Sequence, residues 1–292
     1  MTTLDLRAKR TWRSTKSQLA TLLMIAAVVI VALPLVAVLW SVIARGGAIA
    51  FRAFPDFFTA TIPLVSRRAG PGMGPAILGT LLATGGATLI AVPLGVLGAI
   101  YLHEYGGSSK FAHAVRFLST VMTGVPSIVM GLFIYVMWTM RFGYSAFGGS
   151  LALACLMLPV IIGSTEQMLR LVPSQLREAS YALGATKSRT ILTVVLPAAF
   201  PGIVSGCLLA IARAAGETAP LLFAVGAAHA FNPDLFHDAN TALSMQIFSN
   251  ATSSFVAAQD RAWGAAFTLV LLAFLVTLIA RVLTARVQRG RR

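Results

Sequence analysis

Six long intervals without a charged side chain limit what this chain can fold into more than any other feature of its sequence. A helix needs about 20 apolar residues to cross the hydrocarbon core of a bilayer. The predicted spans are 20–44, 75–102, 117–140, 147–165, 198–221 and 262–284. Only 11% of the residues are charged, against about 25% in soluble domains. We therefore predict an all-α polytopic membrane protein with six transmembrane helices.

The lysines and arginines outside the predicted spans are unevenly divided. Sixteen of the 23 lie before the first span, in the second and fourth loops or after the last span, and six lie in the other loops. Because positively charged loops stay in the cytoplasm, both termini are predicted to be cytoplasmic. The chain then consists of a basic N-terminal segment, 1–18, a membrane domain, 19–285, and a basic tail, 286–292. No nucleic-acid partner is expected, since the basic residues flank apolar segments instead of forming one stripe.

Prolines and small residues inside the spans predict how these helices bend and pack. The internal prolines are Pro34, Pro93, Pro126, Pro159 and Pro201. Each lacks an N–H and frees a carbonyl one turn earlier, so each is expected to kink its helix. Small residues four positions apart, such as Ala91 with Gly95 and Gly202 with Gly206, are expected to let helices approach closely.

The loop between the fourth and fifth spans is patterned more strongly than a simple connection requires. Pro173 can open a helix because of its fixed φ and missing N–H, and Gly184 can end that helix in the left-handed conformation. Thr186 can cap a second helix, which is expected to run until Pro197. The sequence therefore predicts a helix–Gly–helix hairpin on the cytoplasmic side, with Arg177 on the polar face of its first helix.

This hairpin resembles the coupling loop of ABC importer permeases. The family's motif is Glu-Ala-Ala, three residues, Gly, nine residues, and then an aliphatic residue, any residue, Leu and Pro. The matching residues here are Glu178, Ala179, Gly184, Leu196 and Pro197. Ser180 replaces the second Ala, and Val194 takes the aliphatic place. The resemblance implies a type I ABC importer permease whose coupling loop, 166–197, docks through the matching residues on a cytoplasmic ATPase subunit.

Three further stretches narrow the resemblance to the phosphate-specific importer permeases. They are "YLHEYG" at 101–106, "GVPSIVMGLF" at 124–133 and "RAAGETAP" at 213–220. Of the two paralogous subunits in that family, "GETAPLLF" is more similar to the A-type than to the C-type. The resemblance implies a heterodimer with a paralogous permease subunit, two ATPase subunits and an extracytoplasmic phosphate-binding protein, all at the inner membrane of a bacterium. The alternatives are a permease for sulfate, molybdate or tungstate, and the C-type phosphate subunit.

Arg213 and Glu217 are opposite charges one helical turn apart in an otherwise uncharged stretch. If the helix runs to about Ala228 the pair lies near its middle, and if Pro220 ends the helix the pair lies in its outer third. Charges there are costly to bury, and buried ion pairs are weak stabilisers. Given the family resemblance, we favour a substrate pathway formed by Arg213, Glu217 and Thr218 over a structural ion pair. An arginine suits phosphate because its planar fork donates two parallel hydrogen bonds.

Glu217 is harder to interpret, because a carboxylate repels an anion. Two roles fit it. It holds Arg213 between transport events, or it accepts a hydrogen bond from the P–OH of hydrogen phosphate, which sulfate lacks at neutral pH. The residues alone do not choose between these roles.

Other chemical motifs in the sequence are incomplete. "LGATKS" lacks the glycines that a phosphate-binding loop places before Lys187, so ATP and Mg are expected to bind to partner subunits. His103 and Glu104 begin a metalloprotease motif, but Gly107 stands where the second histidine is required. We therefore predict no catalytic residue, no cofactor and no metal site in this chain. An intramembrane enzyme would need a nucleophile–base set, and a membrane scaffold would not account for charges inside a span.

Two long loops lie on the side opposite the termini. They are 45–74 and 218–260, and they are the surfaces expected to meet the binding protein. Whether 218–260 re-enters the membrane stays open from the sequence.

Overall fold

The structure is a computed structural model that describes residues 12–67, 70 and 72–289, and its regular structure in these residues is entirely helical. The first helices are α1 (Lys16–Arg52), α2 (Asp56–Thr59), α3 (Gly74–Tyr105), α4 (Lys110–Gly124) and α5 (Ser127–Phe142). The remaining helices are α6 (Ala146–Arg170), α7 (Ser174–Ala182), α8 (Lys187–Ala215), α9 (Ala219–Ala224), α10 (Leu243–Ala251) and α11 (Val256–Arg289). Most of the predicted N-terminal segment and the end of the basic tail lie outside the described residues.

The membrane-crossing helices lie where the sequence predicts them. Among the described residues, five helices are individually long and apolar enough to cross a bilayer, namely α1, α3, α6, α8 and α11. The sixth crossing requires α4 and α5 together, since they meet the same criterion only as a pair. The all-α polytopic class is confirmed with five candidate spans, and a sixth results if α4 and α5 together form one span.

The break lies between α4 and α5, which meet at an angle of 108°. Val125 adopts φ −71° and ψ 128°, because the ring of a following proline disfavours the helical conformation. Pro126 also lacks the N–H that would continue the helix. The prediction of one kinked helix over 117–140 is therefore wrong. The other internal prolines lie within helices that stay continuous.

Small residues form the tightest contacts of the bundle. A Cβ on Gly95 of α3 would lie 2.7 Å from Cγ2 of Ile161 in α6. A Cβ on Gly206 of α8 would lie 2.4 Å from the hydroxyl oxygen of Ser164, also in α6. Ala91, one turn before Gly95, is fully buried. The predicted close approach at these positions is confirmed, and it places α3 and α8 on either side of α6.

The apolar part of α1 packs against nothing else in the described chain, and none of its most apolar stretch is buried. Its C-terminal part reaches α11, where a Cβ on Gly46 would lie 2.3 Å from the carbonyl oxygen of Trp263. A continuous apolar surface of this size needs lipid or another subunit to cover it. The predicted bilayer partner fits this exposure.

The segment after α8 folds back on the bundle. Pro220 in α9 packs on Gly131 of α5, where an added Cβ would lie 2.5 Å from the proline Cα. The N–H of Leu243, at the start of α10, donates to the hydroxyl of Thr80 on α3 at 2.8 Å. Both short helices therefore pack against long ones. Within the expected outer surface 218–260, exposed residues lie both in the loop between α9 and α10 and around residues 248–256.

Alanine at position 95 should destabilise the protein, whereas alanine at position 85 should not. The Cβ of Gly95→Ala enters the contact with Ile161, and overpacking costs about 1–3 kcal/mol. Gly85 lies on the same helix with open space at its Cβ position, and there Ala gains about 1 kcal/mol of helix propensity over Gly. The thermal unfolding midpoints of the two purified variants measure this difference. Equal midpoints would contradict the described packing of α3 on α6.

Candidate functional site

Arg213 lies in the last turn of α8, which ends at Ala215. The helix neither continues to Ala228 nor lasts until Pro220, so both predicted lengths are wrong. Gly216 ends it, since glycine favours the helix least after proline. Pro220 instead opens the next helix, where its fixed φ is suitable. The charged pair thus lies at a helix end and not in a helix interior.

Arg213 and Glu217 form a loose ion pair. Nε of Arg213 is 3.7 Å from Oε1 of Glu217, which is longer than a hydrogen bond. The arginine side chain is 71% exposed and that of the glutamate 21%. The expectation of two deeply buried charges is therefore not met within this chain. Exposed pairs of this kind contribute only about 0–1 kcal/mol, which leaves a purely structural role with little support.

Arg213 and Glu217 line a cleft of about 280 Å³. Another wall of the cleft is the break between α4 and α5, which contributes Met122, Thr123, Val125, Pro126 and Ser127. Met157 and Pro159 of α6 complete the lining, together with their neighbours. The motifs "GVPSIVMGLF" and "RAAGETAP" therefore meet at one place, which their separation in the sequence does not reveal.

The groups at this cleft suit an anion. Arg213 supplies a positive charge and Ser127 a hydroxyl group, whereas the hydroxyl of Thr123 donates to the carbonyl of Thr120 at 2.6 Å. Ser127 begins α5, so the first-turn N–H groups that lack helical partners lie at this end. The helix dipole there favours negative charge. Among the lining residues, Glu217 is the only acid.

Thr218, the third predicted pathway residue, is not among the residues that line this cleft. Its carbonyl accepts the N–H of Leu222 at 3.2 Å, at the start of α9. A residue that the sequence did not indicate is Ser244 of α10, whose hydroxyl donates to the carbonyl of Glu217 at 2.8 Å. The loop that carries Glu217 is therefore fixed from α10.

The coupling loop folds as the predicted hairpin. Gly184 follows α7 with φ +80°, the left-handed conformation that glycine adopts readily. The hydroxyl of Thr186 caps the second helix by accepting the N–H of Arg189 at 3.4 Å. The hydroxyl groups of Ser180 and Thr190 lie 2.8 Å apart and join the two helices.

The second helix of the hairpin does not stop at Pro197, which corrects the prediction. α8 is continuous from Lys187 to Ala215, and a π-helical turn over Ile191–Val195 precedes the proline. The wider turn accommodates a ring that would clash with a carbonyl in a regular α-helix. The hairpin and Arg213 therefore share one helix.

The predicted docking residues divide into an exposed and a covered group. Exposed on the hairpin are Glu178, Ala179 and Gly184. Partly buried in α8 are Leu196 and Pro197, and Leu196 packs on the main apolar core. The hairpin also presents Leu183, 89% exposed, and Tyr181 beside it. Both are large exposed hydrophobic residues that the family motif does not include.

No metal centre is found in the part of the chain that the structure describes, since no group of three His, Cys, Asp or Glu side chains is suitably placed there. Cys155 and Cys207 are free thiols. His103 and Glu104 lie beside Arg177, which donates a hydrogen bond to Glu104 at 3.0 Å.

Comparisons with known proteins show the family of this chain. The family described as "Binding-protein-dependent transport system inner membrane component" matches residues 91–292. The chain is 43% identical over 283 residues to "Phosphate transport system permease protein PstA 1" of Mycobacterium tuberculosis, covering 96% of this chain and 91% of the relative. It is 39% identical over 281 residues to "Phosphate transport system permease protein PstA" of Yersinia pestis, covering 96% and 94%.

A solved structure supports the fold independently. A chain of the inward-facing MetNI methionine ABC transporter superposes with a TM-score of 0.54 at 18% identity, covering 74% of this chain and 92% of that one. The helical fold and the hairpin define a class of protein, the multi-pass permease subunits of ABC importers in the bacterial inner membrane. Within that class, the chain belongs to the PstA family of phosphate transport system permease proteins.

Proposed function

We propose that this chain is one of the two membrane subunits of an ATP-driven importer of inorganic phosphate, and that Arg213 meets the phosphate. The observation that carries the proposal is a largely exposed arginine, loosely paired with Glu217, in a cleft at the break between α4 and α5. The names of both relatives, phosphate transport permeases, support the choice of substrate.

The guanidinium of Arg213 is available for a ligand. At 3.7 Å, its contact with Glu217 is electrostatic and engages Nε. The planar fork can donate two parallel hydrogen bonds to two phosphate oxygens, a geometry that an ammonium group cannot reproduce. A phosphate in the cleft would also lie near the N-terminus of α5, where backbone N–H groups bind anions.

Glu217 gives the cleft a means to prefer phosphate over other oxyanions. Its carboxylate repels a fully deprotonated anion, whereas hydrogen phosphate carries a P–OH that can donate to it. Sites that pair a substrate proton reject analogues lacking it by large factors. The role of holding Arg213 between transport events also fits the distance, because a carboxylate at 3.7 Å holds the guanidinium weakly enough for phosphate to replace it.

The hairpin is the proposed docking surface for a cytoplasmic ATPase subunit. Glu178, Ala179, Gly184 and Leu183 are exposed there, while Leu196 and Pro197 fix the hairpin to the span. One chain supplies one such loop, so a motor with two ATPase subunits needs a paralogous permease as well. ATP and Mg bind in the ATPase subunits. The segments 45–74 and 218–260 are the surfaces proposed for the extracytoplasmic phosphate-binding protein, with both termini in the cytoplasm.

Replacing Arg213 should strongly reduce transport without loss of the complex. For Arg213→Gln we expect uptake of radiolabelled phosphate into proteoliposomes to fall by about 10- to 100-fold, because hydrogen bonds to charged groups are worth about 1.5–3 kcal/mol. Arg213→Lys should recover only part of the uptake, since it lacks the fork. The amount of assembled complex should stay unchanged, as an exposed pair stabilises by at most about 1 kcal/mol.

The double variant Arg213→Gln with Glu217→Gln distinguishes a role of this pair in the substrate pathway from a purely structural role. It removes both charges, so a structural pair would be relieved and uptake restored. We expect the double variant to assemble and still not to transport. Glu217→Gln alone distinguishes the two roles of the glutamate: it should lose discrimination against sulfate if Glu217 reads the P–OH, and keep it if Glu217 only holds the arginine. Phosphate uptake near wild type in the double variant would contradict the pathway.

The turn at Gly184 should be required for docking. Gly184→Val places a β-branched residue at φ +80°, where it is strained. An added Cβ meets no atom within 4 Å, so the substitution tests the backbone conformation alone. Gly184→Asn is the matched control, because asparagine tolerates the left-handed region. Co-purification of the ATPase subunit should fall only for the valine variant, and equal retention by both variants would argue against the turn's role.

A further inference from the structure

The stretch "YLHEYG" is not used by the proposed pathway or the docking surface, yet it contacts the hairpin. Glu104 lies in the last, π-helical turn of α3. Its carboxylate accepts a hydrogen bond from Nη2 of Arg177 at 3.0 Å. The side chains of Arg177 and Glu104 are only 17% and 7% exposed. Arg177 was predicted to lie on the polar face of its helix, and instead it forms a largely buried ion pair.

Arg177 also binds the end of α6. Its Nη1 donates to the carbonyl of Val172 at 2.7 Å, and its Nη2 donates to the carbonyl of Leu169 at 3.1 Å. One guanidinium therefore joins the first helix of the hairpin to both α3 and the end of α6. A point charge without the fork could not serve these three acceptors equally.

The second helix of the hairpin is held by the same turn of α3. The ammonium group of Lys187 donates to the backbone carbonyl of Glu104 and lies 4.8 Å from the ring centroid of Tyr105. The hydroxyl groups of Tyr105 and Ser188 are 3.3 Å apart. Both arms of the hairpin are thus anchored on residues 104 and 105.

This anchor is connected to the cleft by two helices. α8 runs from the hairpin to Arg213 without interruption. On the other side, Arg116 of α4 donates to the carbonyl of Leu102 at 2.6 Å and to Glu166 of α6 at 3.0 Å. α4 ends at the break that forms a wall of the cleft. The end of α3 therefore contacts both the docking hairpin and the helix that leads to the break.

We propose that Glu104 is a positioning residue for transport. Its ion pair with Arg177 fixes the hairpin against α3 and α6, so that a displacement imposed by the ATPase is passed to α4 and α8. Without the pair, bending between the hairpin and the bundle absorbs the displacement. The inference rests on the docking function proposed above. A hydrogen-bonded pair with little solvent access is suited to this task, because it holds one geometry and has no water to replace either partner.

The test measures phosphate uptake and ATP hydrolysis together in proteoliposomes that hold the full complex and its binding protein. Glu104→Gln keeps size and polarity and removes the charge. We expect normal ATPase retention and continued ATP hydrolysis, while the phosphate taken up per ATP falls at least about fivefold, the lower end of typical coupling between sites. Lys110→Gln removes an exposed charge at the start of α4, and it should keep the wild-type ratio.

The ratio of phosphate taken up to ATP hydrolysed distinguishes a loss of coupling from a loss of folded complex. If Glu104→Gln does not assemble because Arg177 is left unpaired, Glu104→Gln combined with Arg177→Gln removes both charges and should show the same fall. A wild-type ratio in an assembled variant would overturn the inference and leave the proposed function intact. Parallel losses of uptake and hydrolysis, in proportion to the amount of complex, would also overturn it. Absence of phosphate uptake by the wild-type complex would overturn the proposed function and this inference with it.

Discussion

A lipid bilayer offers no water to a free peptide group, and this constraint governs where the chain interrupts its helices. Most of the long helices stay continuous even where an internal proline removes one backbone hydrogen bond. The chain is interrupted at Val125–Pro126 and again at Gly216, and both interruptions adjoin the same cleft. Backbone groups released there need water or an anion as partners. A place where helices stop is therefore also the place where a hydrated anion can be accommodated.

Two arginine–glutamate pairs differ in distance and burial in this fold, and we propose opposite roles for them. Arg213 and Glu217 are 3.7 Å apart and accessible, so the arginine can exchange its partner for a ligand. Arg177 and Glu104 are 3.0 Å apart and largely buried, so their geometry is fixed by further carbonyl contacts. The same two residue types thus give an exchangeable contact at one end of α8 and a rigid one beside its other end. Burial, and not residue type, decides which role each pair has.

The sequence predicts the parts of the structure that depend on local patterns. Charge-free length locates the spans, and Gly184 with Thr186 locates the hairpin. The sharp break at Pro126 is not predictable in the same way, because Pro93 and Pro159 stay within continuous helices. The passage of α8 through Pro197 depends on a π-helical turn that has no sequence signal. Tertiary packing decides whether a helix breaks or continues at each of these prolines.

The candidate site was predictable only in part. Arg213 and Glu217 stand out because charges are rare in spans, but Thr218 lies beside the cleft and not in its lining. Ser127 comes from a distant motif, so only the folded chain brings it to the pair. The burial of Arg177 is also tertiary, since helical periodicity assigned it to the polar face. Residues that act through long-range contacts are those that a single sequence reveals least.

Access of phosphate to the cleft at the break between α4 and α5 can be measured directly. In a chain carrying Cys155→Ala and Cys207→Ala, a Ser127→Cys substitution places one thiol at the N-terminus of α5. During ATP-driven transport, its modification by a water-soluble thiol reagent should slow when phosphate is supplied and stay unchanged when sulfate is supplied. Gly85→Cys, on α3 outside this cleft, should show no such protection. An equal rate of Ser127→Cys modification with and without phosphate, in a complex that still takes up phosphate, would contradict a pathway through this cleft.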